Sequence, residues 1–170
     1  AVLGQQVSLA AARRLAGRLV VAYGKPLDAP LGGVTHTFPT APALAAVDPA
    51  AFPVPVRRQK TLHQLATRLA DGRLHLDPGA ERAEVERKLV DVPGIGPWTA
   101  GYVRMRALSD PDVFLAGDLG VRKVLVRAGL PDDVVTATAA AEQWRPWRSY
   151  AQMHLWALAA RRTDEEGTAR

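Results

Sequence analysis

Apolar side chains at Leu3, Val7, Leu15 and Leu19 fall near a 3.6-residue period and predict a helix over residues 1–23, ended by Gly24 and Pro26. Two amides, Gln5 and Gln6, interrupt its aliphatic start; either they face a partner or they sit exposed on a surface helix. Residues 25–42 carry Pro26, Pro30, Gly32, Gly33, Pro39 and Pro42 and predict a loop. Thr40 predicts the cap of a short helix through Val47, and Asp48-Pro49 caps a further turn. A clear helix follows over 56–71, with Leu62, Leu65, Ala66 and Leu69 inward and Gly72 as its C-cap residue. No stretch of this half alternates well enough for a strand, although residues 73–76 read as extended.

The second half repeats the helical pattern. Asp77-Pro78 opens a helix that runs to Val90, with Val85 and Leu89 inward. A tight glycine-rich turn comes next, and Pro97 starts a helix over 98–108. Residues 109–116 form a connector with a short apolar piece, Val113-Phe114-Leu115. Helices are predicted over 119–128, closed by Gly129, over 132–143, and over about 146–161; the polar tail, 163–170, is expected to fray. Helices dominate, connections are short and no internal repeat exists, so the fold class is all-α. A chain of 170 residues accommodates one domain or two closely packed lobes around a real core.

Composition narrows the chemistry. With 48% hydrophobic and 23% charged residues the chain reads as a soluble globular protein. No window approaches the roughly 18 consecutive apolar residues of a membrane span, and no secretory pattern opens the chain, so a cytoplasmic protein without membrane contact is expected. The absence of cysteine excludes disulfides, thiol nucleophiles, cysteine-type zinc sites and iron–sulfur clusters. The four histidines have no metal-type spacing. The net charge of +5 suits a polyanion, although charge alone equally describes a solvated surface. Arg57, Arg58 and Lys60 load a helix N-terminus with cations, against the dipole; a phosphate would offset this, and a solvated basic end is the commoner reading. The chain opens at Ala1 in mid-pattern, which leads us to expect a longer parent protein.

The stretch from Leu89 to Asp118 carries the most specific chemistry. In Val92-Pro93-Gly94-Ile95-Gly96, Gly94 and Gly96 permit a tight turn and leave their N–H groups uncovered. With Pro97 opening the next helix, those N–H groups lie at a positive helix end suited to a phosphate, and Ile95 anchors the turn in the core. A lone Gly-x-Gly turn is more often only a connection. Together with Leu89, Thr99-Ala100 and the apolar helix that follows, it makes a helix-hairpin-helix motif, which binds DNA backbone without reading sequence. Asp118 by itself reads as a plain N-cap aspartate.

From these residues the chain resembles the helix-hairpin-helix DNA glycosylase superfamily, and within it most resembles the bacterial 3-methyladenine DNA glycosylase II family. The resemblance covers nearly the whole chain: Val2-Leu3-Gly4-Gln5-Gln6-Val7-Ser8, Phe38-Pro39-Thr40, Pro93-Gly94-Ile95-Gly96 with Trp98-Thr99-Ala100, Asp112-Val113-Phe114-Leu115 with Asp118, and Trp144-Arg145-Pro146-Trp147-Arg148-Ser149-Tyr150-Ala151 with Trp156. It implies a two-lobed all-helical fold that flips a damaged nucleotide into a cleft, and the absence of a separate N-terminal domain that the family carries. Asp118 matches the family's catalytic aspartate. An ionised carboxylate there would stabilise the oxocarbenium-like sugar or orient water, and the helix that follows favours the anion through its dipole. Trp98 stands where strand-cutting members carry a Schiff-base lysine, which implies a monofunctional enzyme. Trp98, Tyr102 and Trp156 match base-pocket positions whose π-faces attract a cationic alkylated purine; core packing is the alternative for such helix aromatics. Gly94, Gly96, Thr99, Gln5 and Gln6 are the implied DNA contacts. Gln6 takes the place of the wedge that fills the vacated stack, and Leu119 stands where some relatives have an aromatic residue.

Trp144 and Trp147 are assigned to packing, and Arg145 and Arg148 to surface or phosphate contacts. Main-chain carbonyls of Val90, Val92 and Ile95 would hold a monovalent cation, Na+ or K+, and catalysis requires no cofactor. The expected partner is double-stranded DNA with alkylated bases, acted on by a monomer. Two other readings stay open: a non-catalytic DNA-binding module, and a glycosylase for deaminated or oxidised bases.

Overall fold

A computed structural model describes residues 1–168, with side chains described through residue 160. The chain divides into two compact units: Ala1–Leu76 with Ala83–Thr99, and Asp77–Arg82 with Ala100–Arg170. Both are helical, and the first also holds a two-stranded hairpin.

In the first unit the expected opening helix is broken. A single 3-10 turn at Val2–Gly4 is followed by a break at residues 5–8, and α1 (Leu9–Tyr23) begins only there. Ser8 sets that boundary, since its hydroxyl accepts the Ala11 N–H at 3.2 Å as an N-cap. Gln6 completes the break with a left-handed φ of +52°. The predicted loop at 25–42 contains a β-hairpin instead: β1 (Pro26–Leu31) pairs antiparallel with β2 (Val34–His36) around Gly32-Gly33. Almost every residue of both strands is exposed, so neither face demanded apolar alternation, and the two-residue turn with φ of +56° at Gly32 was the remaining signal. Short α2 (Ala41–Ala45), capped by Thr40, and a 3-10 turn at Pro49–Ala51, capped by Asp48, follow as expected. The core gathers Leu19 of α1, Leu44 of α2, Phe52, Val54, and Leu62 and Ala66 of α3 (Val56–Ala70). Tyr23 closes it, edge-on to Phe52 at 5.9 Å.

Residues 77–80 form a turn closed by the Ala80 N–H on the Asp77 carbonyl at 2.9 Å, so α4 (Arg82–Val90) starts later than Asp77-Pro78 suggested. After the turn at residues 91–96, α5 (Pro97–Ala107) follows. In the second unit come α6 (Leu119–Arg127), α7 (Val134–Ala140) and a 3-10 turn at Ala141–Trp144. The last helix, α8 (Arg148–Thr168), runs past the predicted end near Arg161; the predicted frayed tail includes 169–170, outside the described residues. Ala116, Val121, Leu125 and Ala137 form this unit's core, with Phe114, Trp144, Leu155 and Trp156 packed against it. No helix among the described residues is long and apolar enough to cross a membrane.

Candidate functional site

The hairpin is held from beneath by side chains of its own unit. Leu89 and Val92 are fully buried and Ile95 is 4% exposed, while Gly94, Gly96 and Pro97 face solvent. Ile95 N–H donates to the Val92 carbonyl at 2.9 Å, which closes the turn. Gly94 is compelled twice over. Its φ is +92°, and a Cβ there would sit 2.3 Å from the Thr61 hydroxyl, which donates to the Pro93 carbonyl at 2.8 Å. Gly96 differs, since a Cβ there meets nothing within 4 Å. Packing within the fold therefore does not demand a glycine there.

Gln5 turns out to be a strut. Its amide nitrogen donates to the Gly94 carbonyl at 2.8 Å and to the Thr99 hydroxyl at 3.0 Å. The Arg58 guanidinium in turn donates to the Gln5 carbonyl, so one cation of this basic helix start is neither simply solvated nor wholly free for phosphate. Thr99 is only 3% exposed; the structure places its hydroxyl under the hairpin, holding Gln5. Gln6 follows directly, exposed and left-handed, as a side chain presented by an anchored neighbour. Arg68 secures the end of α4 by donating to the carbonyls of Lys88 at 3.1 Å and Asp91 at 3.3 Å. The Val92 carbonyl, already accepting from Ile95, keeps a second lone pair for a cation, and the neutral main-chain oxygens of Val90, Val92 and Ile95 suit an alkali ion in kind. Trp98 is half-buried in this unit.

In the second unit the structure brings Asp118, Trp156 and Tyr102 together. Asp118 is the N-cap of α6 and its Oδ1 accepts the Val121 N–H at 3.0 Å. The same oxygen accepts the Trp156 indole N–H at 2.9 Å. Trp156, expected as pocket wall, therefore also fixes the carboxylate. Its ring lies 5.9 Å from Tyr102, tilted by 46°, and both residues are half-buried. Gly120 leaves room for this meeting: a Cβ there would stand 3.1 Å from Asp118 Oδ1 and 3.7 Å from Trp156 Cδ1. Leu119, beside the acid, is 71% exposed.

The segment leading to Asp118 is pinned by α8, a feature that the sequence reading missed. Ser149 Oγ donates to the Asp110 carbonyl at 2.6 Å and accepts the Val113 N–H at 2.9 Å; Gln152 Oε1 accepts the Leu115 N–H at 3.0 Å. Spacings of three and four residues put Ser149, Gln152 and Trp156 on one helix face. Polar residues on that buried face were the available signal. Arg148 donates to Asp112 at 2.6 Å and to Glu142 at 2.9 Å, and Arg145 reaches the same two acids. Arg148, expected at the surface or on phosphate, is instead engaged within the fold at 12% exposure, whereas Arg145 lies at the surface as expected, 51% exposed. Trp144 packs edge-on to Phe114 at 5.5 Å, whereas Trp147, expected to pack, is 59% exposed beside Tyr150.

Charge follows this architecture. Burial pushes the Asp110 carboxyl up, but the Asp112 N–H and the Arg104 guanidinium at 2.5 Å outweigh it and hold it below the ordinary aspartate range. The Arg148 hydrogen bond does the same for Asp112.

Comparisons with known proteins agree with this anatomy. No protein-family model matches the chain. It is 49% identical over 156 residues to a probable bifunctional transcriptional activator/DNA repair enzyme AlkA of Mycobacterium tuberculosis, covering 92% of this chain and 32% of that protein. It is 36% identical over 168 residues to DNA-3-methyladenine glycosylase 2 of Escherichia coli, covering 97% and 57%. The crystal structure of a DNA-3-methyladenine glycosidase from Bacillus halodurans superimposes with a TM-score of 0.70 at 27% identity, covering 96% of this chain and 74% of that one. The chain thus spans between about a third and somewhat over half of the curated relatives it matches. Nearly complete alignment of this chain, the shared helical frame, and a hairpin and acid in their expected sequence order settle its kinship: the chain belongs to the helix-hairpin-helix DNA glycosylase superfamily, among the 3-methyladenine DNA glycosylase II proteins.

Proposed function

We propose that the protein is a monofunctional DNA glycosylase that hydrolyses the N-glycosidic bond of alkylated purines, of the 3-methyladenine and 7-methylguanine type, in double-stranded DNA. One observation carries this reading: the Asp118 carboxylate caps α6 while bonded to the indole N–H of Trp156, which itself lies beside Tyr102. A module that only bound DNA would need no acid so held.

Exposed Gly94 and Gly96 at the start of α5 offer backbone N–H groups to phosphate oxygens, an affinity indifferent to sequence. Exposed Gln6 enters the stack and supports extrusion of the target nucleotide. A purine alkylated at N3 or N7 is cationic, which attracts it to electron-rich rings such as Tyr102 and Trp156. It is also a good leaving group, so no strong general acid is required. As the bond breaks, positive charge grows on the sugar, and Asp118 stabilises it and orients the attacking water. Trp98 offers no amine for a Schiff base, so the product is an abasic site in an intact strand. A monovalent cation on the carbonyls of Val90, Val92 and Ile95 would rigidify the hairpin and take no part in bond cleavage.

The test is direct: incubation with methylated duplex DNA should release free 3-methyladenine and 7-methylguanine. Asp118→Asn should abolish release while DNA affinity stays within a few-fold. A folded, DNA-binding sample that frees no base would refute the enzyme reading. Strand breaks appearing without added base or heat would contradict the role drawn from Trp98.

A further inference from the structure

Residues 113–115 belong to no helix or strand, and Val113 and Leu115 bury their side chains at 7% and 6% exposure. Backbone N–H groups at buried positions need acceptors, which a neighbouring strand would ordinarily supply. Among the described residues the two strands pair with each other, and α8 supplies these acceptors through its side chains. Ser149 takes the Val113 N–H at 2.9 Å and Gln152 takes the Leu115 N–H at 3.0 Å. Leu115 is secured on its side chain as well, because Gly101 of α5 leaves the gap it fills: a Cβ there would stand 2.8 Å from Leu115 Cδ2. The Leu115 carbonyl then accepts the Asp118 N–H at 2.9 Å. An unbroken series of hydrogen bonds thus runs from the Gln152 amide through one residue to the backbone of the acid.

Gln152 is an unusual choice for this place. It is fully buried, and its Nε2 has no hydrogen-bond partner. An unmet buried donor is destabilising, so a plain hydrophobe would serve packing better. What a hydrophobe could not do is accept from Leu115.

We propose that Gln152 is a positioning residue for Asp118, acting through Leu115, in concert with Ser149. This rests on the role given above to Asp118. Small displacements of a reacting group are costly, on the order of a hundredfold in rate for about 1 Å. Loss of the Gln152 acceptor should therefore appear in the chemical step and not in DNA affinity.

The experiment compares wild type, Gln152→Met and Gln152→Glu in single-turnover release of 7-methylguanine from methylated duplex, alongside Kd for the same duplex and thermal unfolding. Gln152→Met keeps the volume and removes the strong acceptor; it should slow release at least tenfold with Kd within twofold. Gln152→Glu retains an oxygen at that place, so it should recover most of the rate as pH falls and its carboxyl protonates. Release by Gln152→Met within twofold of wild type overturns the proposal, as does a loss wholly accounted for by its unfolded fraction. A wild type that releases no base refutes the functional reading instead. Amide hydrogen exchange then decides: Gln152→Met should speed exchange at Leu115, Asp118 and the Trp156 indole more than tenfold with global exchange unchanged, and unchanged exchange at Asp118 and Trp156 rejects the linkage.

Discussion

Replacing Trp156 by phenylalanine separates the bond that the structure gives this side chain from the base-facing role proposed for its ring. The substitution retains an aromatic ring next to Tyr102, 5.9 Å away in the parent protein, and removes the indole N–H that reaches Asp118 Oδ1 at 2.9 Å. The carboxylate keeps the Val121 N–H at 3.0 Å, so it stays on the cap of α6 with one of these two donors. A hydrogen bond to a charged group contributes about 1.5–3 kcal/mol. Asp118 is only half-buried, and water can replace part of what is lost, so the lower half of that range applies. Expressed in the transition state, about 1.5–2.2 kcal/mol is a rate loss of roughly twelve- to fortyfold. The assay is single-turnover release of 7-methylguanine at saturating protein, with DNA affinity and thermal unfolding measured on the same samples. Trp156→Ala should lose considerably more, because it also removes the π-face offered to the cationic base. Release by Trp156→Phe at the wild-type rate would refute the positioning role of the indole. Equal losses in Trp156→Phe and Trp156→Ala would assign the entire effect to the N–H and none to the ring.

Two glycines of one turn should respond differently to the same change. Gly94→Ala meets a left-handed φ and the Thr61 hydroxyl, so it should destabilise the protein by about 2–4 kcal/mol, read from chemical denaturation. Gly96→Ala meets open space and should unfold within about 0.5 kcal/mol of wild type, yet bind duplex DNA more weakly; unchanged affinity would remove Gly96 from the DNA surface. Asp110, Asp112 and Glu142 are all held below their ordinary values, by guanidinium contacts and, at Asp110, the Asp112 N–H. Each therefore contributes stability above its unfolded value, about 3.9 for aspartate and 4.3 for glutamate, which is lost as pH falls through the lower folded value. Thermal stability should hold from neutral pH to about 5 and drop below about 4. Asp112→Asn should flatten that acid limb, and an unaltered limb would mean that Asp112 titrates alike in the folded and unfolded protein.

What the sequence disclosed and what it withheld follow a physical division. Turn and cap chemistry is local, so Pro93-Gly94-Ile95-Gly96-Pro97 announced its hairpin, and Thr40, Asp48 and Asp118 announced helix starts that the structure contains. Each of those residues satisfies its own neighbours within three or four positions. The β-hairpin at Pro26–Leu31 and Val34–His36 escaped because a strand exposed on both faces has no reason to alternate. Residues 5–8 escaped because apolar positions recur on both sides of Gln5 and Gln6, so the amides read as an interruption within one helix and not as the break that the Ser8 cap and the left-handed Gln6 make.

The supports of the site lay further out of reach, for their partners are distant in sequence. Gln5 bonds Gly94 and Thr99 roughly ninety positions away, and Ser149, Gln152 and Trp156 bond residues 36 to 38 positions back. From composition alone, Ser149 and Gln152 are polar interruptions of a helix and Trp156 is one more aromatic. Their meaning comes from the N–H groups of Val113 and Leu115 and from the Asp118 carboxylate, which no periodicity encodes. Residue by residue Asp118 read only as a helix cap, and the family resemblance lent it its chemistry; the bonds by which Ser149, Gln152 and Trp156 hold that segment have no local signature at all. Asp118 and its supports should therefore differ under substitution. Asp118→Asn keeps a capping oxygen, and so keeps the fold while ending the chemistry. Losses at Gln152 or Trp156 should instead leave the carboxylate present, charged and mis-set, and show as graded rates rather than silence.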